Sequence, residues 1–101
     1  MCGIAGICDL ASHPLPQLGR SLEVMNELQR HRGPDESGTW RHPCGHVGFA
    51  HRRLCIIDLE HGQQPMCDEL GNWITYNGEI YNYVELRQEI GEEHFAMHSD
   101  T

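Results

Sequence analysis

Met1-Cys2-Gly3-Ile4-Ala5-Gly6-Ile7-Cys8 opens the chain, and the fate of its first residue governs how everything after it is read. An initiator methionine is usually removed ahead of a small residue, and cysteine is small enough. Removal leaves Cys2 with a thiol and a free α-amine. An α-amine titrates at about 7.7–8.0 in model peptides, close to working pH, so the residue carries a nucleophile together with its own general base. The same cysteine also reads as a small buried hydrophobe at the head of a strand, and position alone favours that reading. Residues 3–8 are small and β-branched, which suits a buried strand.

Outward from this strand, local punctuation divides the chain. Pro14 and Pro16 mark a loop ahead of a helix over 17–31, in which Leu18, Leu22, Met25 and Leu28 fall near one face. Gly33-Pro34 stops it. Short strands are expected at 37–41 and 46–51, between Gly38, Pro43, Gly45 and Gly48. Leu54-Cys55-Ile56-Ile57 is a further apolar run ended by Asp58, and a polar loop runs through Gly62-Gln63-Gln64-Pro65. Trp73-Ile74-Thr75-Tyr76 has the aromatic and β-branched content of a strand. Asn77-Gly78 is the strongest turn signal, with strands expected on both sides. Asn82 is placed to cap a helix over 83–90, ended by Gly91, and Phe95 to His98 begins another strand. No repeat or domain boundary interrupts this α+β pattern. A strand that begins so close to Thr101 is expected to belong to a domain of which only the first part is present.

The totals exclude several classes of function. At 101 residues there is room for one small core. The formal net charge of −8, with seven Arg and no Lys against fifteen acids, leaves no basic stripe for a nucleic-acid backbone. No run is long enough to span a membrane, and no secretory signal precedes Cys2. The five cysteines, at 2, 8, 44, 55 and 67, follow no framework spacing and are expected to be reduced, which points to the cytoplasm. Eight histidines invite a zinc hypothesis. However, there is no Cys-x-x-Cys, and His42-Pro43-Cys44-Gly45-His46 with His51 fits no standard zinc pattern, so no metal is expected.

If Cys2 attacks an amide, further groups are needed. The oxyanion that forms needs donors, and a backbone N–H at Gly78 with the Asn77 side-chain amide would supply them. By itself Asn-Gly reads equally as a hairpin turn. The substrate's remote groups need holding. Arg53 can take a carboxylate in a two-pronged contact, and Glu79 and Asp100 can hold an ammonium group. Each of these charged residues alone reads as an ordinary solvated one. Together they are the set that recognises the α-amino-acid head of a small substrate.

The segments MCGIAG (1–6), RHRGPDESG (30–38), HRRLCIIDL (51–59), GQQPM (62–66), YNGEIYNY (76–83) and SDT (99–101) closely resemble the N-terminal glutaminase domain of class II glutamine amidotransferases, which are N-terminal-nucleophile hydrolases. Within that group they look most like the glutamine-hydrolysing asparagine synthetases, with Arg-His-Arg-Gly-Pro-Asp the discriminating segment. The resemblance runs in order along the whole chain.

The resemblance implies a four-layer αββα sandwich, here incomplete. It implies that Cys2 is the nucleophile and its amine the base, and that Asn77 and Gly78 form the oxyanion hole. Arg53 binds the glutamine α-carboxylate, Leu54, Cys55, Ile56 and Ile57 line the pocket, and Glu79 and Asp100 face the α-ammonium group. Arg32-Gly33-Pro34-Asp35 is expected to be a structural loop beside the site. The glutaminase half needs no cofactor. ATP and magnesium belong to a synthetase domain, carried in cis in this family and not encoded in these residues, where ammonia converts aspartate to asparagine. A homodimer is compatible with the family, and the 101 residues alone are expected to be inactive or weakly active. Three alternatives remain open: the same glutaminase serving a sugar or peptide acceptor, a non-catalytic glutamine-binding module, and a Cys/His metal-binding regulator.

Overall fold

The computed structural model describes residues 1–55 and 62–95. Strand β1 (Gly3–Cys8) leads to helix α1 (Leu18–Leu28), then β2 (Glu36–Arg41) and β3 (Val47–Arg53). A short hairpin of β4 (Met66–Cys67) and β5 (Trp73–Ile74) follows, then helix α2 (Tyr83–Ile90) and a 3-10 turn at Glu92–His94. The first three strands form an antiparallel sheet in the order β1-β3-β2, and among the described residues β4 pairs only with β5. The fold is therefore α+β, as expected.

Side-chain alternation along β3 assigns the two faces of the sheet. Gly48 and Ala50 face α1, and their small size is what admits the helix. A Cβ on Gly48 would sit 2.6 Å from Leu22 Cδ1 and 3.1 Å from Leu18 Cδ1. Leu18, Leu22 and Ala50 form the buried core, with Ala5, Ile7 and Leu15 packed around it. Phe49, His51 and Arg53 alternate to the other face, which the hairpin covers. There Trp73 stacks on Trp40 at 4.8 Å, and Trp40 packs on Phe49 at 5.3 Å.

Several expectations are corrected. Strand β1 is not buried but lies at the sheet edge, and Ile4 is 46% exposed. Helix α1 is shorter than 17–31, and Leu28 lies off its inward face. Ten residues after Leu18, at about 100° per residue, it sits about 80° round from the buried stripe, and Asn26 is buried instead. The strand over 73–76 forms only at Trp73–Ile74. Asn77-Gly78 is not a hairpin turn, because no strand follows it before α2. The turn falls at Asp68–Asn72, where the Asp68 carboxylate accepts Leu70 N–H at 2.9 Å, Asn72 N–H at 2.8 Å and the Asn72 side-chain amide at 2.8 Å. The bond from the Asn72 side chain, with the backbone donors behind it, holds the Asp68 carboxyl below the usual carboxylate range. Helix α2 spans the residues expected, but Asn82 makes no side-chain capping bond. Phe95 is extended, and the remainder of the strand expected at 95–98 lies outside the described residues.

Candidate active site

The register of the β1–β3 pair sets Gly3 opposite Arg52, which brings Cys2 beside the chain leaving β3. Leu54 N–H donates to Cys2 Sγ at 3.4 Å, and the thiol lies 4.0 Å from the Leu54 carbonyl oxygen. The backbone of Cys2 is held separately. Its carbonyl accepts the Asn77 side-chain N–H at 3.0 Å and Arg32 Nε–H at 3.2 Å. Cys2 is half-buried, while Met1 stands 76% exposed.

The 32–36 loop braces the same corner, in keeping with its expected structural role. Gly33 is buried against the backbone of Arg52 and Arg53. Asp35 N–H donates to the Arg53 carbonyl at 3.1 Å, and the Asp35 carboxylate accepts Cys55 N–H at 2.8 Å. Burial pushes the Cys55 thiol up, and the charges of Glu36, Asp35 and Cys2 add to the shift while Arg53 opposes it. Cys55 is thereby kept in its poorly nucleophilic protonated form.

Arg53 follows from the other side of β3. Its guanidinium is almost out of water and pairs with the Glu36 carboxylate at 2.9 Å. The two residues face each other in the β2–β3 register and line a cleft of about 380 Å3 with His51, Gly38, Gln64 and Pro65. His51 is 2% exposed, and its Nδ1 hydrogen-bonds Thr75 Oγ1 at 2.9 Å. Burial and then the neighbouring Arg53 charge lower its pKa from the ordinary 6.5. Above that ordinary value His51 is neutral in both folded and unfolded chains, and its full contribution to stability is present. As pH falls through the lowered folded value, the unfolded chain has taken up a proton that the folded chain resists, and stability is lost. The melting temperature should therefore fall as the pH drops below about 6.5, and the fall should be shallower in His51→Gln. Equal slopes in the two proteins would remove His51 as the cause.

Of the residues expected at the site, Cys2, Leu54 and Asn77 are brought into direct contact, with Arg53, Cys55 and Gly78 adjacent to them in the chain. Gly78 is exposed, and a Cβ there would lie 2.7 Å from the Tyr76 hydroxyl. Glu79 is exposed and makes no contact with Cys2 among the bonds described. Ile56, Ile57 and Asp100 lie outside the described residues. Sequence reasoning missed Glu36 and His51 as cleft residues, since only the strand register brings them into one cleft, and it missed Thr75, which hydrogen-bonds His51. Among the described residues, no group of three or more His, Cys, Asp or Glu is gathered as a metal site, and no helix is long and apolar enough to cross a membrane.

Residues 1–101 match the glutamine amidotransferase domain family. Asparagine synthetase [glutamine-hydrolyzing] 1 of Bacillus subtilis is 43% identical over 105 residues, covering 100% of this chain and 16% of that protein. A putative asparagine synthetase [glutamine-hydrolyzing] of Mycobacterium bovis is 44% identical, covering 96% of this chain and 17% of that protein. Asparagine synthetase [glutamine-hydrolyzing] 1 of Lotus japonicus is 41% identical, covering 99% and 17%. The chain thus spans about one-sixth of the length of these curated relatives. No solved structure gives a significant match. The chain belongs to the glutamine amidotransferase domain family.

Proposed function

We propose that the chain hydrolyses glutamine to glutamate and ammonia through Cys2, and that the ammonia serves an ATP-dependent conversion of aspartate to asparagine. The observation that carries this reading is the convergence on Cys2, whose thiol receives a backbone N–H from Leu54 while Asn77 and Arg32 fix its carbonyl. The acceptor reaction is suggested by the relatives, which are glutamine-hydrolysing asparagine synthetases.

In this reading Met1 is removed and the freed amine of Cys2 takes the thiol proton. The thiolate adds to the side-chain carbonyl carbon of glutamine. The resulting oxyanion is met by Gly78 N–H and by Asn77, whose side-chain amide carries two hydrogens and commits one of them to the Cys2 carbonyl. The protonated amine gives its proton to the departing nitrogen, ammonia leaves, and a γ-glutamyl thioester remains. Water activated by the same amine cleaves the thioester to glutamate. Arg53 holds the α-carboxylate, Leu54, Cys55, Ile56 and Ile57 line the pocket, and Glu79 and Asp100 face the α-ammonium group.

The layering of α1, the three-stranded sheet and the hairpin supports the first three layers of an αββα N-terminal-nucleophile sandwich. The five free cysteines agree with the cytoplasm as compartment. ATP and magnesium are assigned to a synthetase domain in cis and to no residue of this chain.

Intact-mass analysis of the full-length protein tests the chemistry. Met1 should be absent, and a diazoketone analogue of glutamine should add once, at Cys2. A retained Met1, or an adduct on any other cysteine, would sink the assignment.

A further inference from the structure

Asn77 serves the site only if the chain between β5 and α2 is held beside Cys2. The hairpin ladder does not hold it. Its register sets Met66 opposite Ile74, and continued by one step it sets Thr75 opposite Pro65, which has no backbone N–H to give. Side chains take over there. Thr75 Oγ1 shares a hydrogen bond of 2.9 Å with His51 Nδ1, and Tyr76 N–H donates to Gln64 Oε1 at 2.5 Å. One residue later the Asn77 side chain donates to the Cys2 carbonyl at 3.0 Å. His51 is itself fixed, being 2% exposed in the middle strand, opposite Ile4 of β1 and Gly38 of β2.

We infer that Thr75 and His51 form a positioning pair that aims the Asn77 amide at the oxyanion. The inference rests on the proposed role of Asn77 and adds no reacting group to the chemistry. Asn77 lies two residues from Thr75, just as Cys2 lies two residues from Ile4, the β1 partner of His51. One imidazole of β3 therefore indexes both the nucleophile and its oxyanion donor to the same strand. The bond to the Cys2 carbonyl uses one hydrogen of the Asn77 amide and leaves the other for the oxyanion. Where that second hydrogen points depends on the backbone of 75–77. A misplacement of about 1 Å costs on the order of 10²-fold in rate. The ground state of glutamine, held by its head group, is bound alike with or without the pair. Thr75 and His51 should therefore act on kcat and not on KM.

The test is glutamate release by the full-length protein carrying Thr75→Val, which keeps the shape of the side chain and deletes the hydroxyl. Rates are measured well below the melting temperature of each protein, so that only folded molecules are compared. The kcat should fall about tenfold, with KM for L-glutamine within about twofold, since the Tyr76 bond to Gln64 remains as a second anchor. Thr75→Ser, which keeps the hydroxyl and loses the methyl, should return kcat to within about threefold of the parent. Should the Val protein not fold, Thr75→Ala carries the same expectation, and failure of both to fold shows the hydroxyl to be structural and overturns the inference. An unchanged kcat overturns it as well, because a merely structural Thr75 lowers the melting temperature and leaves the folded enzyme as fast as before. A rise in KM that accounts for the whole loss also overturns it, as does a Ser protein no faster than the Val or Ala protein. A parent that releases no glutamate removes the glutaminase reading together with this inference. A parent that turns over beside an unimpaired Thr75→Val protein removes this inference alone.

Discussion

Cys2→Ala in the full-length protein is expected to bring glutamate release down to background, a loss of about 10⁴-fold or more by the precedent of other covalent nucleophiles. No second thiol can stand in. Cys55 is adjacent, but burial and the surrounding acids keep it protonated. Cys8 ends β1 at the far end of the strand, and Cys44 and Cys67 are exposed elsewhere. The substitution should cost little stability, since among the described residues the thiol's one donor is Leu54 N–H at 3.4 Å, a weak bond of about 1 kcal/mol. An unchanged melting temperature with lost glutamate release is therefore the signature to look for. Ammonium salts should restore amidation of the acceptor, because the defect lies only in making ammonia. Retained glutamate release would end the case for Cys2.

Gly33→Ala should have the largest structural effect. A Cβ at Gly33 would lie 2.5 Å from Arg53 N and 2.6 Å from the Arg52 carbonyl oxygen, both backbone atoms of β3. Backbone in the middle strand of a sheet cannot swing aside as a side-chain tip can, so β3 or the 32–36 loop must shift as a whole. We expect a destabilisation of about 3 kcal/mol, read as a lowered melting temperature. Glutamate release should fall further than the loss of folded protein explains. The displaced end of β3 carries Leu54 and Arg53, and the displaced loop carries Arg32, so both clamps on Cys2 loosen. A stable, fully active Gly33→Ala protein would show that the loop has slack that the close approach denies.

Much of the fold was legible because its punctuation is local. The glycines and prolines around 33–48 mark strand ends that the structure moves by only one or two residues, and Gly91 ends α2 where expected. The hairpin was not legible, because Asp68 closes it with side-chain bonds to backbone, while at the conventional Asn-Gly signal nearby the Asn77 side chain donates to the Cys2 carbonyl instead. Hydropathy also hid the buried polar residues Asn26, His51, Arg53 and Arg87. Their partners, such as the Gly38 carbonyl for the Asn26 amide, Thr75 for His51 and Glu36 for Arg53, are set by the fold and not by hydropathy. Residue types suggested the chemistry proposed for the site, since thiol, amide and guanidinium each suit a particular task, and the fold does bring Leu54 and Asn77 to Cys2. The pairing of Arg53 with Glu36 was not legible in them, because it exists only once β2 and β3 are paired in one register.

The bonds that hold Cys2 span 52 residues to Leu54 and 75 to Asn77. Such long loops close late, since their entropy must be overcome before the contacts repay it. On the ribosome, at roughly 5–20 residues per second, about 4–15 s separate the emergence of Cys2 from that of Asn77. Throughout that interval the thiol is no more than an ordinary cysteine on an unfinished chain. In the proposed mechanism loss of Met1 creates the amine, and the contacts on Cys2 are complete only when Asn77, after Arg32 and Leu54, has returned to it. If Cys2 is the nucleophile proposed above, the order of synthesis acts as a safety catch on it.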